Sequence, residues 1–209
     1  MKLYGQATSG NCWKIRLLLN FLRQSFDYQS LDTVKGETQE NWYQQINPVG
    51  KIPCLVLDDG ETLIESNAIL WRLAQSTPWW PDDLSQQSRV LSWLFWEQYS
   101  HEPALAVARS WKVYRGWDQE RPEAFADLIA KSHEALSMLN MQLTYTNWLA
   151  TDQPTIADIS LYPYTAMVAD AGIDTSAYPG VQAWLTRFAA LEGYVLISDI
   201  PRGAAPGPR

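Results

Sequence analysis

Ser76-Thr77-Pro78-Trp79-Trp80-Pro81-Asp82-Asp83 marks the point where the sequence changes character. Two prolines within four residues do not fit inside a helix, so residues 78–83 read as a linker. Ahead of it, short β-like runs alternate with helical ones in the order β-α-β-α-β-β-α. Lys2–Tyr4 and Asp27–Leu31 read as strands on either side of a Trp13–Arg23 helix whose Ile15, Leu18, Leu19 and Leu22 share a stripe. Glu37–Ile46 reads as helical. Cys54–Leu57 and Thr62–Ile64 flank Asp58-Asp59-Gly60, a hairpin turn, and Ser66–Ala74 reads as a helix with a Ser cap. Two parallel strands with a crossover helix, then an antiparallel hairpin, define a small mixed sheet and an α/β domain over residues 1–77. After the linker nearly every stretch has helical spacing, so residues 84–200 read as an all-α domain. Its helices are Leu84–Ser100 and Pro103–Arg115, one long helix or a kinked pair interrupted at His101-Glu102-Pro103, then Pro122–Leu149, Thr155–Ala171 with Gly172 as its stop, and Ala177–Leu191. Residues 201–209, rich in Pro and Gly, read as a loose tail.

The composition bounds the function. Of 209 residues, 46% are hydrophobic and 19% charged, which suits a folded protein with a sizeable core. Sixteen Lys+Arg face 23 Asp+Glu, a net charge of −7, and this argues against a general nucleic-acid binder. Residues 1–77 carry 7 basic and 8 acidic groups, so nearly all the excess negative charge belongs to the second half. There is no apolar run of a membrane span's length, and Met1-Lys2-Leu3-Tyr4-Gly5 has no apolar signal core. Two cysteines and two histidines (His101, His133) supply neither a disulfide framework nor a metal site, and a cytoplasmic setting follows. Eleven tryptophans form an aromatic core between helices, or line a pocket for flat apolar ligands.

Three short stretches carry chemistry. Thr8-Ser9-Gly10-Asn11-Cys12 joins a strand to a helix N-terminus, where free N–H groups and the dipole favour an anion. The Ser9 hydroxyl or the Asn11 amide can donate to a thiolate there, or simply cap the helix. Asn47-Pro48-Val49-Gly50-Lys51-Ile52-Pro53 offers a candidate cis bond at Pro53. Turned outward, the Ile52 backbone could bind an extended peptide as an added strand, with Lys51 beside its carboxylate. The plain alternative is a loop with a solvated Lys. In Ile64-Glu65-Ser66-Asn67-Ala68, Glu65 suits a ligand ammonium, while Ser66 and its N–H suit a carboxylate; the plain alternative is a capped helix with an exposed Glu. In combination the three offer a thiolate site, a peptide strand with a cation, and an α-amino-acid site. That is the polarity of glutathione.

On these residues the chain resembles the cytosolic glutathione S-transferase family over roughly residues 1–200. The resemblance implies the glutathione transferase fold: a thioredoxin-like α/β N-terminal domain that binds glutathione, plus an all-α helical C-terminal domain forming the electrophile side of the cleft. The Pro53 region resembles the family's cis-proline segment, Glu65-Ser66 its γ-glutamyl-binding pair, and Thr155-Ile156-Ala157-Asp158 the capping box of its core helix. Ser9 lies where serine-type members keep the thiol-activating hydroxyl; bacterial-type members use Thr or Asn in this loop, which keeps Thr8 and Asn11 as candidates. The thioredoxin dithiol place reads Ser9-Gly10-Asn11-Cys12, so the attacking cysteine is absent and Cys12 is expected to be buried. The implied catalytic residues are Ser9 and Asn11, with Lys51, Ile52, Pro53, Glu65 and Ser66 binding glutathione as co-substrate and no metal. Glu102, Ala106, Arg109 and Ser110 share a helical stripe and are candidates for the electrophile pocket, with a surface Arg–acid pair as the competing reading of Arg109. The implied partners are glutathione and a small hydrophobic electrophile, with no nucleic acid and no membrane. The aromatic-rich first helix of the second half suits the homodimer that the resemblance also implies. A glutathione-dependent disulfide or peroxide reductase, and a non-catalytic binding module on the same fold, are the competing functions.

Overall fold

The computed structural model describes residues 1–200, and they form two compact units. The expected tail, residues 201–209, lies outside the described residues.

The first unit is built on four strands: β1 (Lys2–Gly5), β2 (Asp27–Ser30), β3 (Cys54–Val56) and β4 (Thr62–Ile64). Their order is β2-β1-β3-β4. β1 and β2 run parallel, and β1–β3 and β3–β4 run antiparallel, as the crossover-then-hairpin pattern requires. The helices are α1 (Gly10–Phe21), α2 (Asn41–Ile46) and α3 (Ser66–Ala74), with a 3₁₀ turn at Glu37–Gln39. Gly60 closes the hairpin at φ +89°, a left-handed position that an L side chain would strain.

α1 is buried on most of its surface, so its apolar residues Cys12, Trp13, Ile15 and Leu17 through Leu19 face protein on several sides. Lys14 and Arg16 are fully buried with them. Arg16 places its two terminal nitrogens on carbonyls: Nη1 donates to Asp199 O at 2.9 Å, and Nη2 donates to Ile197 O at 2.9 Å and Ala7 O at 3.1 Å, while its buried Nε has no partner among the described residues. Trp13 Nε1 donates to Val195 O at 2.9 Å, and Tyr194 meets the Trp13 ring edge-on.

These bonds correct the expected boundary at residue 200. Residues 192–200 pack with the α/β unit rather than with the helices, because α1 offers them donors and an indole face. Arg16→Lys keeps the charge but loses the fork that reaches three carbonyls. We expect it to cost about 1–2 kcal/mol and to speed limited proteolysis within 192–200 ahead of the rest of the chain, measured by mass spectrometry of the fragments.

The second unit spans Ser76–Leu191. Its helices are α4 (Leu84–Trp96), α5 (Glu102–Ser110), α6 (Trp117–Glu120), α7 (Pro122–Tyr145), α8 (Ile156–Ala166) and α9 (Pro179–Ala189). Of the two expected forms at His101-Glu102-Pro103, one long helix or a kinked pair, the chain takes the continuous one, with an irregular turn instead of a break. A π-helical turn, Glu97–His101, carries the chain from α4 into α5, and a second, Trp111–Arg115, follows α5. Pro103 sits in the first turn of α5, where a missing N–H is tolerated.

The core of the unit is α8, buried along its whole length and anchored by Asp158. Asp158 Oδ2 accepts from Thr155 N–H at 2.9 Å, and Oδ1 accepts from Leu149 N–H at 3.1 Å and Trp184 Nε1–H at 3.0 Å. Thr155 Oγ1 accepts from Ala157 N–H, and Thr155 and Asp158 pair reciprocally through side chain and backbone as a capping box. Tyr162 stacks on Phe188 at 4.1 Å beside the fully buried Trp184. No helix among the described residues is long and apolar enough to cross a membrane.

Candidate functional site

β1 delivers the chain to the N-terminus of α1. Ser9 is the N-cap, in extended conformation, and its Oγ accepts from Cys12 N–H at 3.3 Å. Thr8 is exposed, and its hydroxyl accepts from Gln6 Nε2. The Gly10 and Asn11 N–H groups stand at the helix start, where no intrahelical carbonyl precedes them. Cys12 is fully buried, and burial pushes its thiol up from its usual pKa against the lowering pull of the Ser9 hydrogen bond. Burial likewise raises Cys54 to about 11. Both cysteines are free thiols that stay neutral at pH 7, which removes either as the attacking sulfur.

α3 starts beside α1. Glu65 is its N-cap residue, at φ 64° and ψ 117°, with an exposed side chain that makes no cap bond. This corrects the expected Ser cap: Ser66 is the first helical residue, 4% exposed, with its N–H at the helix's positive end. A non-glycine residue held at positive φ costs on the order of 1–3 kcal/mol, and such positions collect at functional sites.

Three side chains then join the two helix starts. Lys14 Nζ donates to Ser66 Oγ at 3.4 Å, and Ser66 Oγ donates to Asn11 Oδ1 at 3.4 Å. The ammonium thus feeds a two-step hydrogen-bond relay that ends on the Asn11 amide and turns its Nδ2 donors away from Ser66. Sequence reading missed Lys14. The signal was a basic residue three positions after Asn11 on an otherwise apolar helix, where a solvated charge would be out of place.

The Ile52–Pro53 peptide is cis. Lys51 is exposed at its side chain, while its carbonyl accepts from Tyr43 Oη at 2.6 Å and Asn47 Nδ2 at 2.8 Å. Those two bonds fix the loop just before Ile52. No hydrogen bond among the described residues uses the Ile52 N–H or C=O, so that backbone is left for an added strand.

The four pocket candidates lie in the helical unit. Glu102, Ala106 and Ser110 line one cavity; Arg109 does not. In an ideal helix Arg109 is rotated about 60° from Ala106, and it points toward the other flank of α5. There Nε bonds Asp170 Oδ2 at 2.7 Å, the side chain is 11% exposed, and the guanidinium lies 5.4 Å over the Tyr114 ring. Burial is the largest single influence and works against the Arg109 charge, but Asp170 and Tyr114 together outweigh it and hold the guanidinium above its ordinary pKa. The described residues contain no cluster of His, Cys, Asp and Glu that could hold a metal ion.

A mixed four-stranded sheet with a cis-proline, two helix starts converging on one polar relay, and a separate all-helical unit define a thioredoxin-like domain joined to a helical one. Family models agree: residues 8–76 match the glutathione S-transferase N-terminal domain, and residues 96–192 match the C-terminal domain. A glutathione S-transferase from Pseudomonas fluorescens is similar at 43% identity and TM-score 0.92, over 95% of this chain and 98% of that one. Among curated relatives, the disulfide-bond oxidoreductase YfcG of Escherichia coli is 29% identical over 87% of this chain and 86% of its own length. Protein URE2 of Meyerozyma guilliermondii is 26% identical over 87% of this chain and 74% of its own. The chain belongs to the glutathione S-transferase family.

Proposed function

We propose that the protein is a glutathione transferase, which activates the glutathione thiol as a thiolate for attack on small hydrophobic electrophiles. The observation that carries this is the relay Lys14–Ser66–Asn11, which ties the starts of α1 and α3 together in one unit. In this reading the sulfur lies at the α1 start, near the Asn11 amide and the Ser9 hydroxyl. The peptide backbone pairs with Ile52 beside Pro53, and the glycine carboxylate meets Lys51. The γ-glutamyl carboxylate takes the Ser66 N–H, and its ammonium takes Glu65. The thiol proton leaves to water; the thiolate forms a C–S bond as the leaving group departs with its electron pair. Donors fixed in advance, where charge resides on sulfur, lower the barrier.

Glu65→Ala and Ser66→Ala are each expected to weaken glutathione binding about tenfold, or about 1.4 kcal/mol, measured by calorimetry. Unchanged affinity in both variants would sink the tripeptide site. The relative named a disulfide-bond oxidoreductase favours a second reading, in which the same thiolate attacks sulfur instead of carbon. Conjugation of a chlorinated nitroaromatic against reduction of hydroxyethyl disulfide separates the two. A cytoplasmic site of action is supported by the two unbridged cysteines. A homodimer is supported by the exposed Phe95 and Tyr99, the latter 88% accessible, on one stretch of the helical unit.

A further inference from the structure

A single nitrogen joins two distant stretches of the α/β unit. Arg16 Nη2 bonds Ala7 O at 3.1 Å and Ile197 O at 2.9 Å, while Nη1 bonds Asp199 O at 2.9 Å. The guanidinium is planar and rigid, so it holds these three carbonyls in one fixed relation. Arg16 is fully buried, and water cannot replace a lost carbonyl there unless the packing opens.

The near end of this link leads to the start of α1. Ala7 lies in a turn in which Ser9 N–H donates to Gln6 O at 3.1 Å, and Ser9 Oγ accepts from Cys12 N–H at 3.3 Å. Thr33 Oγ1 ties the other side of the turn by donating to Gln6 Oε1 at 2.6 Å. The Gly10 and Asn11 N–H groups come directly after it, so the position of the turn sets the position of the first free donors of the helix. The far end leads to a second turn, closed on itself. Leu196 N–H donates to Asp199 Oδ2 at 2.7 Å, and Asp199 N–H donates to Leu196 O at 3.0 Å. This closure aims the Ile197 and Asp199 carbonyls at Arg16, and Trp13 Nε1–H on Val195 O at 2.9 Å fixes the approach of the chain. Asp199 is itself exposed, so its side chain can be changed without opening the core.

We infer that Arg16 is a positioning residue, through which the 196–199 turn sets the Gln6–Ser9 turn and with it the α1 donors that face the glutathione sulfur. The mechanical link stands on the bonds above; its effect on the sulfur rests on the transferase reading. Arg16 acts before any reactant arrives, by holding the donors where the thiolate will form. A misplacement of about 1 Å can cost about 100-fold in rate, so a smaller shift of the turn should cost several-fold.

Asp199 variants test this on the full chain, because they alter the far turn and leave Arg16 and the sulfur site in place. Asp199→Ala removes the acceptor of Leu196 N–H; Asp199→Asn keeps an acceptor without the charge. Asp199→Ala is expected to speed amide exchange about tenfold both in 196–199 and in 6–12, read by mass spectrometry. It should lower kcat/KM with a chlorinated nitroaromatic about fivefold and raise the thiol pKa of bound glutathione by about 0.5. The calorimetric Kd for glutathione should stay within about twofold, because Ile52, Glu65 and Ser66 are untouched. Asp199→Asn should reverse these changes. Arg16→Lys should reproduce them, and adding Asp199→Ala to it should cost little more, since both cut one link. Glu192→Gln, which removes the exposed pair with Arg23 in the same segment, should leave kcat/KM within about twofold. Faster exchange confined to 196–199, with 6–12 and the thiol pKa unchanged, overturns the inference, and so does a loss that Asp199→Asn fails to restore. If 6–12 loosens as expected but the wild-type chain neither ionises nor conjugates glutathione, the link stands and the transferase reading falls. If the wild type conjugates glutathione and is indifferent to both Asp199→Ala and Arg16→Lys, the transferase reading stands and Arg16 serves stability alone.

Discussion

Asp158→Ala is expected to destabilise the helical unit by about 4 kcal/mol near pH 5. One carboxylate accepts from four buried donors: Thr155 N–H and Oγ1–H, Leu149 N–H and Trp184 Nε1–H. Stranding a buried donor costs about 1–3 kcal/mol, and a whole domain is stable by only about 5–15 kcal/mol. The penalty has a pH signature. Burial is the largest influence on Asp158 and pushes its pKa up to about 6. Between the unfolded carboxyl value, about 3.9, and 6, the folded chain binds a proton that the unfolded chain has released. Asp158 therefore contributes most at the acid end of that window, and its contribution declines as pH rises through it. The alanine variant has no such group, so the stability gap between wild type and variant should narrow from pH 4 to pH 6. Urea midpoints by circular dichroism across that range check it. A gap that widens with pH would mean that the ionised form is the one the core is built around.

That anchor was readable in the sequence because it is local: Thr155 and Asp158 stand at capping-box spacing just ahead of an apolar run. The sheet order and the hairpin were readable for the same reason, since a crossover helix and an Asp-Gly turn leave few alternatives. What escaped was non-local or rotational. Arg16 and Lys14 interrupt an apolar helix, but the groups that receive them are distant in sequence and appear only once α1 is packed. The 192–200 segment has no periodicity of its own and is held by hydrogen bonds spanning more than 180 positions. Pro103 reads as a helix break because π-helical turns have no residue signature comparable to a cap. Arg109 and Ser110 are adjacent in sequence, yet one faces Asp170 and the other the cavity, a distinction that a stripe drawn at whole turns cannot make. Of the glutathione-site candidates, Glu65, Ser66 and the Ile52–Pro53 bond were legible as motifs. The relay that orients Asn11 was not, because it crosses 52 and 55 positions.

The relay favours Asn11 over Ser9 as the sulfur's donor in the proposed reading, and the expected result is that Asn11 matters more than Ser9. The Ser9 hydroxyl already serves the helix by accepting from Cys12 N–H. Asn11 has its oxygen taken by Ser66, whose own oxygen is fed by the buried Lys14 ammonium. Each bond in such a chain polarises the next, so the amide N–H groups at its end become better donors. The neighbouring helix start adds its dipole for any anion placed there. Asn11→Ala is expected to lower kcat/KM about 100-fold, equivalent to about 2.7 kcal/mol of lost thiolate and transition-state stabilisation. The pKa of the bound glutathione thiol, read from its ultraviolet thiolate absorbance, should rise by at least about one unit toward the free value near 8.5. Asn11→Asp should raise it further, because a carboxylate repels the thiolate. Ser9→Ala should cost about 1 kcal/mol of stability as a lost cap and change kcat/KM by less than about tenfold, whereas Ser9→Gly should recover most of the stability. If the thiol pKa instead moves with Ser9→Ala and is indifferent to Asn11→Ala, the serine hydroxyl holds the sulfur, and the relay serves only to join the starts of α1 and α3.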